Sequence, residues 1–182
     1  MLAAHLYSGR HDIHCIPNID DKKDFDAVII DYSTSPASEL KFEFTSATDD
    51  YEQHLRMKYF LEHDQVNVYG KLLVSGTKKT GRKIQVENEM VNHKDLLQRT
   101  FSSIKDRAER KSTIPGKPKK YGTEYVLVIV FDDWLWFNTD RDRVALENFV
   151  KKEILTLPLN FASLYILGLS GKTFLHFKIN KT

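Results

Sequence analysis

The pattern of apolar and polar residues predicts strands and helices that alternate along the chain. The run FDAVIID (residues 25–31) and the run EYVLVIVF (residues 124–131) are apolar on both faces, which is typical of inner strands of a sheet. Residues 40–45, LKFEFT, alternate strictly, so one face of this predicted strand is apolar and the other carries lysine, glutamate and threonine.

Three further segments have the apolar spacing of helices that pack on a sheet. They run from about residue 50 to 63, over residues 92–111 and from about 141 to 155. Two hairpins are predicted, within residues 65–91 and 161–179. This order of elements predicts an α/β fold with a mixed central sheet flanked by helices. We expect one domain over residues 1–182, because 182 residues are enough for a single core.

Composition limits the location and the class of site. The chain is 41% hydrophobic and 29% charged, as in ordinary globular proteins. No apolar run approaches the eighteen residues or so of a membrane span, so we expect no membrane association. The single cysteine, Cys15, excludes an internal disulfide and a zinc ribbon. The chain also starts without the pattern of a secretory signal, so a cytoplasmic location is expected.

Basic residues are clustered although the net charge is only +2. One cluster covers residues 78–83 and another covers residues 105–120. Such clusters are either solvated helix ends and loops or surfaces that follow the phosphates of DNA. On the second interpretation the substrate-binding candidates are Lys105, Arg107, Lys117, Lys119 and Lys120.

Two acidic residues on neighbouring predicted strands are the main candidates for a chemical site. Asp26 shares a face with apolar neighbours, and a buried charge is costly unless it is paired or bound to a metal. If Asp26 and Glu43 point the same way, the two carboxylates can hold one Mg²⁺. Such an ion activates a water and stabilises charge on a phosphate. Lys41, on the same face as Glu43, is then a third catalytic candidate that positions the water.

This order of acidic residues resembles the PD-(D/E)XK, or restriction-endonuclease-like, superfamily. In that superfamily an Asp precedes a Glu-x-Lys on the next strand by some ten to thirty residues, and here Asp26 matches the Asp and Glu43 the Glu. The resemblance covers most of the chain and implies a restriction-endonuclease-like core. It further implies hydrolysis of DNA with Mg²⁺ or Mn²⁺, Asp26 and Glu43 as the metal ligands, and a homodimer as one arrangement for cutting two strands.

The chain departs from the superfamily pattern at Thr45, which stands where the lysine is expected. Members of the superfamily tolerate a lysine supplied from a neighbouring strand or helix. The candidates for that role here are Lys41, Lys105 and Arg107.

Two local alternatives stay open. Glu39-Leu40-Lys41 is a literal Glu-x-Lys, with Asp26 or Asp31 as its partner. Arg56 either orients substrate at the site or forms an ion pair with Glu52 four residues earlier on the same helix.

Three functions are consistent with these features. The first is a metal-dependent nuclease acting on DNA. The second is a catalytically inactive nuclease-like domain that binds nucleic acid or a protein partner. The third is an unrelated α/β interaction protein whose acidic residues are only solvated.

Overall fold

A computed structural model describes residues 6–20, 24–48, 50–67, 70–77, 81, 83–113, 116, 120–133, 137 and 139–179. Within these residues the strands are β1 (Ile13–Pro17), β2 (Ala27–Asp31), β3 (Ser38–Ser46), β4 (Gly70–Ser75), β5 (Lys83–Met90), β6 (Tyr125–Phe131), β7 (Ser163–Gly168) and β8 (Phe174–Lys178). The helices are α1 (Asp50–His63), α2 (His93–Arg110) and α3 (Asp140–Phe149), and α3 continues as a π-helical turn over Val150–Ile154.

A mixed six-stranded sheet is the centre of the fold, with strand order β1-β2-β3-β6-β7-β8. Strands β1 to β3 form an antiparallel meander, β3, β6 and β7 are parallel, and β8 returns antiparallel to β7. The predicted α/β class and mixed sheet are confirmed. The apolar run of β6 is the innermost part, since Leu127, Val128 and Ile129 have no exposed surface.

The two faces of the sheet carry separate hydrophobic clusters. Leu127 and Ile129 pack with Ile104 and Ala108 of α2 and with Leu146 of α3, so this face is covered by helices. The opposite face has its own cluster, to which Ala27, Ile29, Phe42, Val126, Val128 and Tyr165 belong. Because side chains alternate along a strand, Phe42 and Glu43 of β3 point to opposite faces.

Helix α1 and the β4–β5 hairpin form a unit inserted between β3 and α2. Arg56 of α1 anchors the hairpin by donating to the carbonyls of Asn67 and Gly70 at 2.8 and 2.7 Å. It also pairs with Glu52 at 2.5 Å, so the ion-pair alternative for Arg56 is confirmed. Position 70, the first of β4, requires glycine because a Cβ there would lie 1.9 Å from the Glu87 carbonyl oxygen.

The N-termini of α2 and α3 are joined by a buried carboxylate. Asn92 caps α2 by accepting from the Lys94 amide at 2.9 Å. Thr139 and Asp142 form a capping box at the start of α3. Asp142, only 4% exposed, also lies 3.0 Å from Nε2 of His93 at the start of α2. None of the described helices is long and apolar enough to cross a membrane.

We predict that Asp142→Asn lowers the free energy of unfolding at neutral pH by about 1–3 kcal/mol, because it removes a buried charged acceptor. Burial alone would raise the pKa of Asp142, but hydrogen bonds from His93 and Thr139 hold that pKa below its ordinary value. A lowered pKa stabilises the fold above the unfolded pKa, roughly 3.9, and this contribution is lost as the pH falls through the folded pKa.

Urea unfolding between pH 3 and pH 7 measures this effect. The difference between wild type and Asp142→Asn should shrink at the acidic end. The control is Asp140→Asn, since Asp140 is exposed in the same helical turn and its removal should change stability by less than about 0.5 kcal/mol. Equal losses in the two variants would contradict the role of Asp142.

Candidate functional site

Asp26 lies one residue before β2, next to Ala27 and Phe42, which are the last paired residues at this end of β2 and β3. Its amide donates to the Phe42 carbonyl at 2.8 Å, and its carbonyl accepts from the Asn18 amide at 2.8 Å. The carboxylate accepts, through Oδ2, from the amide of Phe44 at 2.6 Å. The Asp26 side chain therefore lies against the peptide that joins Glu43 to Phe44.

The sequence predicts that Asp26 is buried among apolar neighbours, and this prediction is wrong. The Asp26 side chain is exposed, because the residue precedes the regular part of β2. The buried carboxylate of the pair belongs instead to Glu43, which is 8% exposed in the middle of β3.

Glu43 points to the helix-covered face of the sheet. It is in register with Leu127 of β6, which belongs to the core on that face. Its Oε1 accepts from the hydroxyl of Tyr121 at 3.2 Å and from the ammonium of Lys111. No hydrogen bond to Oε2 is found within the described residues, so this oxygen keeps acceptor capacity for a further ligand.

Lys111 is the functional candidate that the sequence analysis missed. It follows directly on α2, and its amide donates to the Ala108 carbonyl at 3.1 Å, which closes the helix end. A signal for it exists in the sequence: Lys111 is seven residues after Ile104 and three after Ala108, so it continues the apolar stripe of α2. A lysine at that position extends its stem along the core and brings its charge to the sheet.

Tyr121 precedes β6 and is held firmly in place. Its ring stacks on Phe161, with centroids 4.5 Å apart, and meets the edge of Tyr125 at 5.4 Å. Burial, followed by the charge of Glu43, raises the pKa of Tyr121. The phenol therefore stays protonated at neutral pH and acts as a donor to Glu43.

Lys41 lies on the face of β3 that Glu43 occupies, as predicted, but the lysine bonded to Glu43 is Lys111. The Lys41 ammonium lies 5.1 Å from the ring centroid of Tyr125 and 6.0 Å from that of Phe25. Its role as a catalytic residue stays a prediction.

Lys120 is close to the same group of rings. Its ammonium is 5.2 Å from the Tyr121 ring centroid and pairs with Asp24 at 3.3 Å. Lys117 and Lys119, the other predicted phosphate-binding residues of this segment, lie outside the described residues. Lys120 therefore supplies an exposed positive charge beside Tyr121.

The predicted cations of α2 point in different directions. Lys105 pairs with Glu153 at 2.9 Å, and this hydrogen bond is the main cause that lowers the pKa of Glu153. Arg107 is half-buried one turn before Lys111, and its Nε is buried without a hydrogen-bond partner among the described residues. The unpaired Nε of Arg107 is therefore out of reach of a phosphate, and Lys105 is already paired.

The Glu39-Leu40-Lys41 register has less structural support. Glu39 is exposed near the start of β3. Asp31, at the far end of β2, pairs with Arg10 at 3.0 Å and accepts from the amide of Ser33 at 2.9 Å. Among the described residues, neither carboxylate has a lysine bonded to it, in contrast to Glu43.

The carboxylates of Asp26 and Glu43 are oxygen ligands of the kind that hard divalent cations prefer. Groups of three or more His, Cys, Asp or Glu side chains able to hold a metal are not found within the described part of the chain. Mg²⁺ is commonly bound by one or two carboxylates and keeps several waters, whereas zinc needs a fuller set of protein ligands. Two carboxylates such as Asp26 and Glu43 are too few for zinc, and a site for Mg²⁺ or Mn²⁺ stays a prediction from the sequence.

Comparison of this chain with protein-family models, with curated proteins and with solved structures finds no match. The resemblance to the PD-(D/E)XK superfamily therefore remains a prediction from the sequence. Function is inferred from the geometry around Glu43.

We predict that Lys111→Met lowers the free energy of unfolding by about 1–3 kcal/mol, because it leaves the buried Glu43 carboxylate without its counter-charge. Glu43→Gln in the same chain should recover part of this loss, and the two changes should couple by roughly 0.5–3 kcal/mol in a double-mutant cycle measured by urea unfolding.

The matched control is Lys105→Met on the same helix. The Lys105–Glu153 pair is more exposed, at 35% and 34% of the two side chains, so its loss should cost less than about 1 kcal/mol. A Lys111→Met variant no less stable than the Lys105→Met variant would contradict a structural Lys111–Glu43 pair.

Proposed function

We propose that this chain is a metal-dependent nuclease that hydrolyses phosphodiester bonds of DNA. One observation carries the proposal. The Asp26 carboxylate is bonded to the Glu43–Phe44 peptide, while Lys111 and Tyr121 hold one oxygen of Glu43 and leave the other available. Two carboxylates and a lysine beside them are the groups that the sequence resemblance leads us to expect.

Asp26 and Glu43 would hold the Mg²⁺ or Mn²⁺ ion. When bound, such an ion supplies a water of lowered pKa and a positive charge for a phosphate oxygen. Asp26 is exposed and Glu43 is buried, so the proposed ion would bind between an exposed and a buried carboxylate. The burial of Glu43 keeps water away from one side of the carboxylate and so strengthens its interaction with a cation.

Lys111 takes the role of the lysine that is missing at Thr45. Thr45 is partly buried in β3 opposite Ile129 and offers no positive charge. The Lys111 ammonium is already at Glu43, where it can neutralise charge on a phosphate or orient a water. Its long flexible stem allows it to exchange the Glu43 oxygen for a substrate oxygen.

The order of the strands supports a restriction-endonuclease-like core. An antiparallel meander, β1 to β3, is extended by a parallel strand, β6, which is reached through helices. Ala27 and Phe42 are the last paired residues at this end of β2 and β3, and Asp26 and Glu43 are their direct neighbours in the chain. A shared cation would bind at this end of the β2–β3 pairing.

DNA is the substrate class that the surrounding charges favour. Lys41 and Lys120 flank the rings of Tyr121 and Tyr125 beside Glu43. Arg107, half-buried one turn before Lys111, adds a further positive charge. A backbone of regularly spaced phosphates is the ligand that several separate cations around one site can bind together.

A second candidate is a nuclease-like domain that binds DNA without cutting it. The observation in its favour is that Lys111 already neutralises Glu43, which reduces the attraction of the site for a cation. This domain would bind DNA with a salt-dependent affinity but would show no metal-dependent cleavage.

We predict that the wild-type protein nicks or cuts plasmid DNA with Mg²⁺ or Mn²⁺ and that EDTA prevents this. Glu43→Gln and Asp26→Asn should each lower the cleavage rate by about a hundredfold or more, the scale on which single electrostatic contacts act in catalysis. Asparagine at position 26 keeps an acceptor for the Phe44 amide, so the fold should persist.

The control for this experiment is Glu39→Gln on the same face of β3. It should cleave at the wild-type rate, whereas loss of cleavage in this variant would favour the Glu39-Leu40-Lys41 register. Metal-dependent cleavage that survives in Glu43→Gln would contradict the proposed site.

We predict that Lys120→Glu weakens DNA binding and lowers the slope of log affinity against log salt, because one phosphate contact is lost. A removed contact should reduce the slope by about one. Fluorescence anisotropy with a short duplex at several salt concentrations measures both. Lys151→Glu is the control, since Lys151 pairs with Glu147 on the exposed side of the π-helical turn. Equal effects of the two variants would show that only net charge matters.

A further inference from the structure

Both hydrogen bonds to Glu43 end on the same oxygen. The Tyr121 hydroxyl donates to Oε1 at 3.2 Å, and the Lys111 ammonium donates to that oxygen as well. A carboxylate with one oxygen held by two donors has a fixed plane, and its other oxygen then has a fixed direction. Within the described residues, Oε2 of Glu43 has no hydrogen-bond partner that would compete with a cation.

The two donors differ in how firmly they are held. Tyr121 is 8% exposed, and its ring is stacked on Phe161 and in edge contact with Tyr125. A tyrosine has only two side-chain torsions, and both are restricted by such packing. Lys111 has a flexible four-carbon stem, and a quarter of its side chain is exposed.

We propose that Tyr121 is a positioning residue that holds the Glu43 carboxylate with Oε2 directed to the cation site. The inference rests on the proposed function, since it gives Tyr121 a task only if Glu43 binds a cation. Tyr121 keeps Glu43 in place when the Lys111 ammonium turns to a phosphate of the substrate. Lys111 can then leave Glu43 without releasing the carboxylate.

This division of roles follows from general behaviour of metal sites. Residues that hydrogen-bond a metal ligand orient it, and their removal typically costs about 10–100-fold in metal affinity.

Calorimetric titration of the full chain with Mn²⁺, without DNA, tests the inference. We expect Tyr121→Phe to weaken Mn²⁺ binding about tenfold or more. Urea unfolding of the variant without Mn²⁺ separates a loss of affinity from a loss of stability. Phenylalanine keeps the stacked ring on Phe161, so the comparison is between folded proteins.

Tyr165→Phe is the matched control. Tyr165 is also 8% exposed, but it belongs to the core on the opposite face of the sheet. Its loss of a hydroxyl should change Mn²⁺ affinity by less than a factor of two. A Tyr121→Phe variant that binds Mn²⁺ as tightly as wild type overturns the positioning role but leaves the proposed function standing. A wild-type protein that binds no Mn²⁺ overturns both.

Discussion

The buried charge of Glu43 is the constraint on which the rest of the site depends. A carboxylate on the helix-covered face of a sheet is costly unless charge and hydrogen bonds compensate it. Lys111 at the end of α2 and Tyr121 before β6 supply that compensation. One charged oxygen therefore joins three segments that are far apart in the chain: a strand, a helix end and a loop.

This compensation also sets the electrostatic character of the site. Asp26 and Glu43 contribute two negative charges and Lys111 one positive charge. Lys41, over the Tyr125 ring, and Lys120, which pairs with Asp24, add positive charge beside them. On the proposed function, the two carboxylates would bind a divalent cation and the lysines would bind phosphates, so cation and DNA binding would support each other.

The sequence predicts the local parts of this arrangement but not their long-range pairing. Periodicity shows which face of an element a side chain occupies. It therefore predicts that β6 is apolar on both faces, that β3 alternates and that α2 has an apolar stripe. The predicted burial of Asp26 is wrong because β2 stops pairing with β3 at Ala27, and the apolar pattern of the sequence does not indicate where that pairing stops. Lys111 and Tyr121 are 68 and 78 residues from Glu43, and only the crossover from β3 to β6 brings them to it.

A crystal structure of the protein with Mn²⁺, measured near the manganese absorption edge, tests the central claim most directly. The account predicts an anomalous peak within about 2.0–2.3 Å of Oε2 of Glu43 and of an Asp26 oxygen, with Tyr121 still bonded to Oε1. A peak elsewhere on the molecule, or no peak while Lys111 stays paired with Glu43, would contradict it.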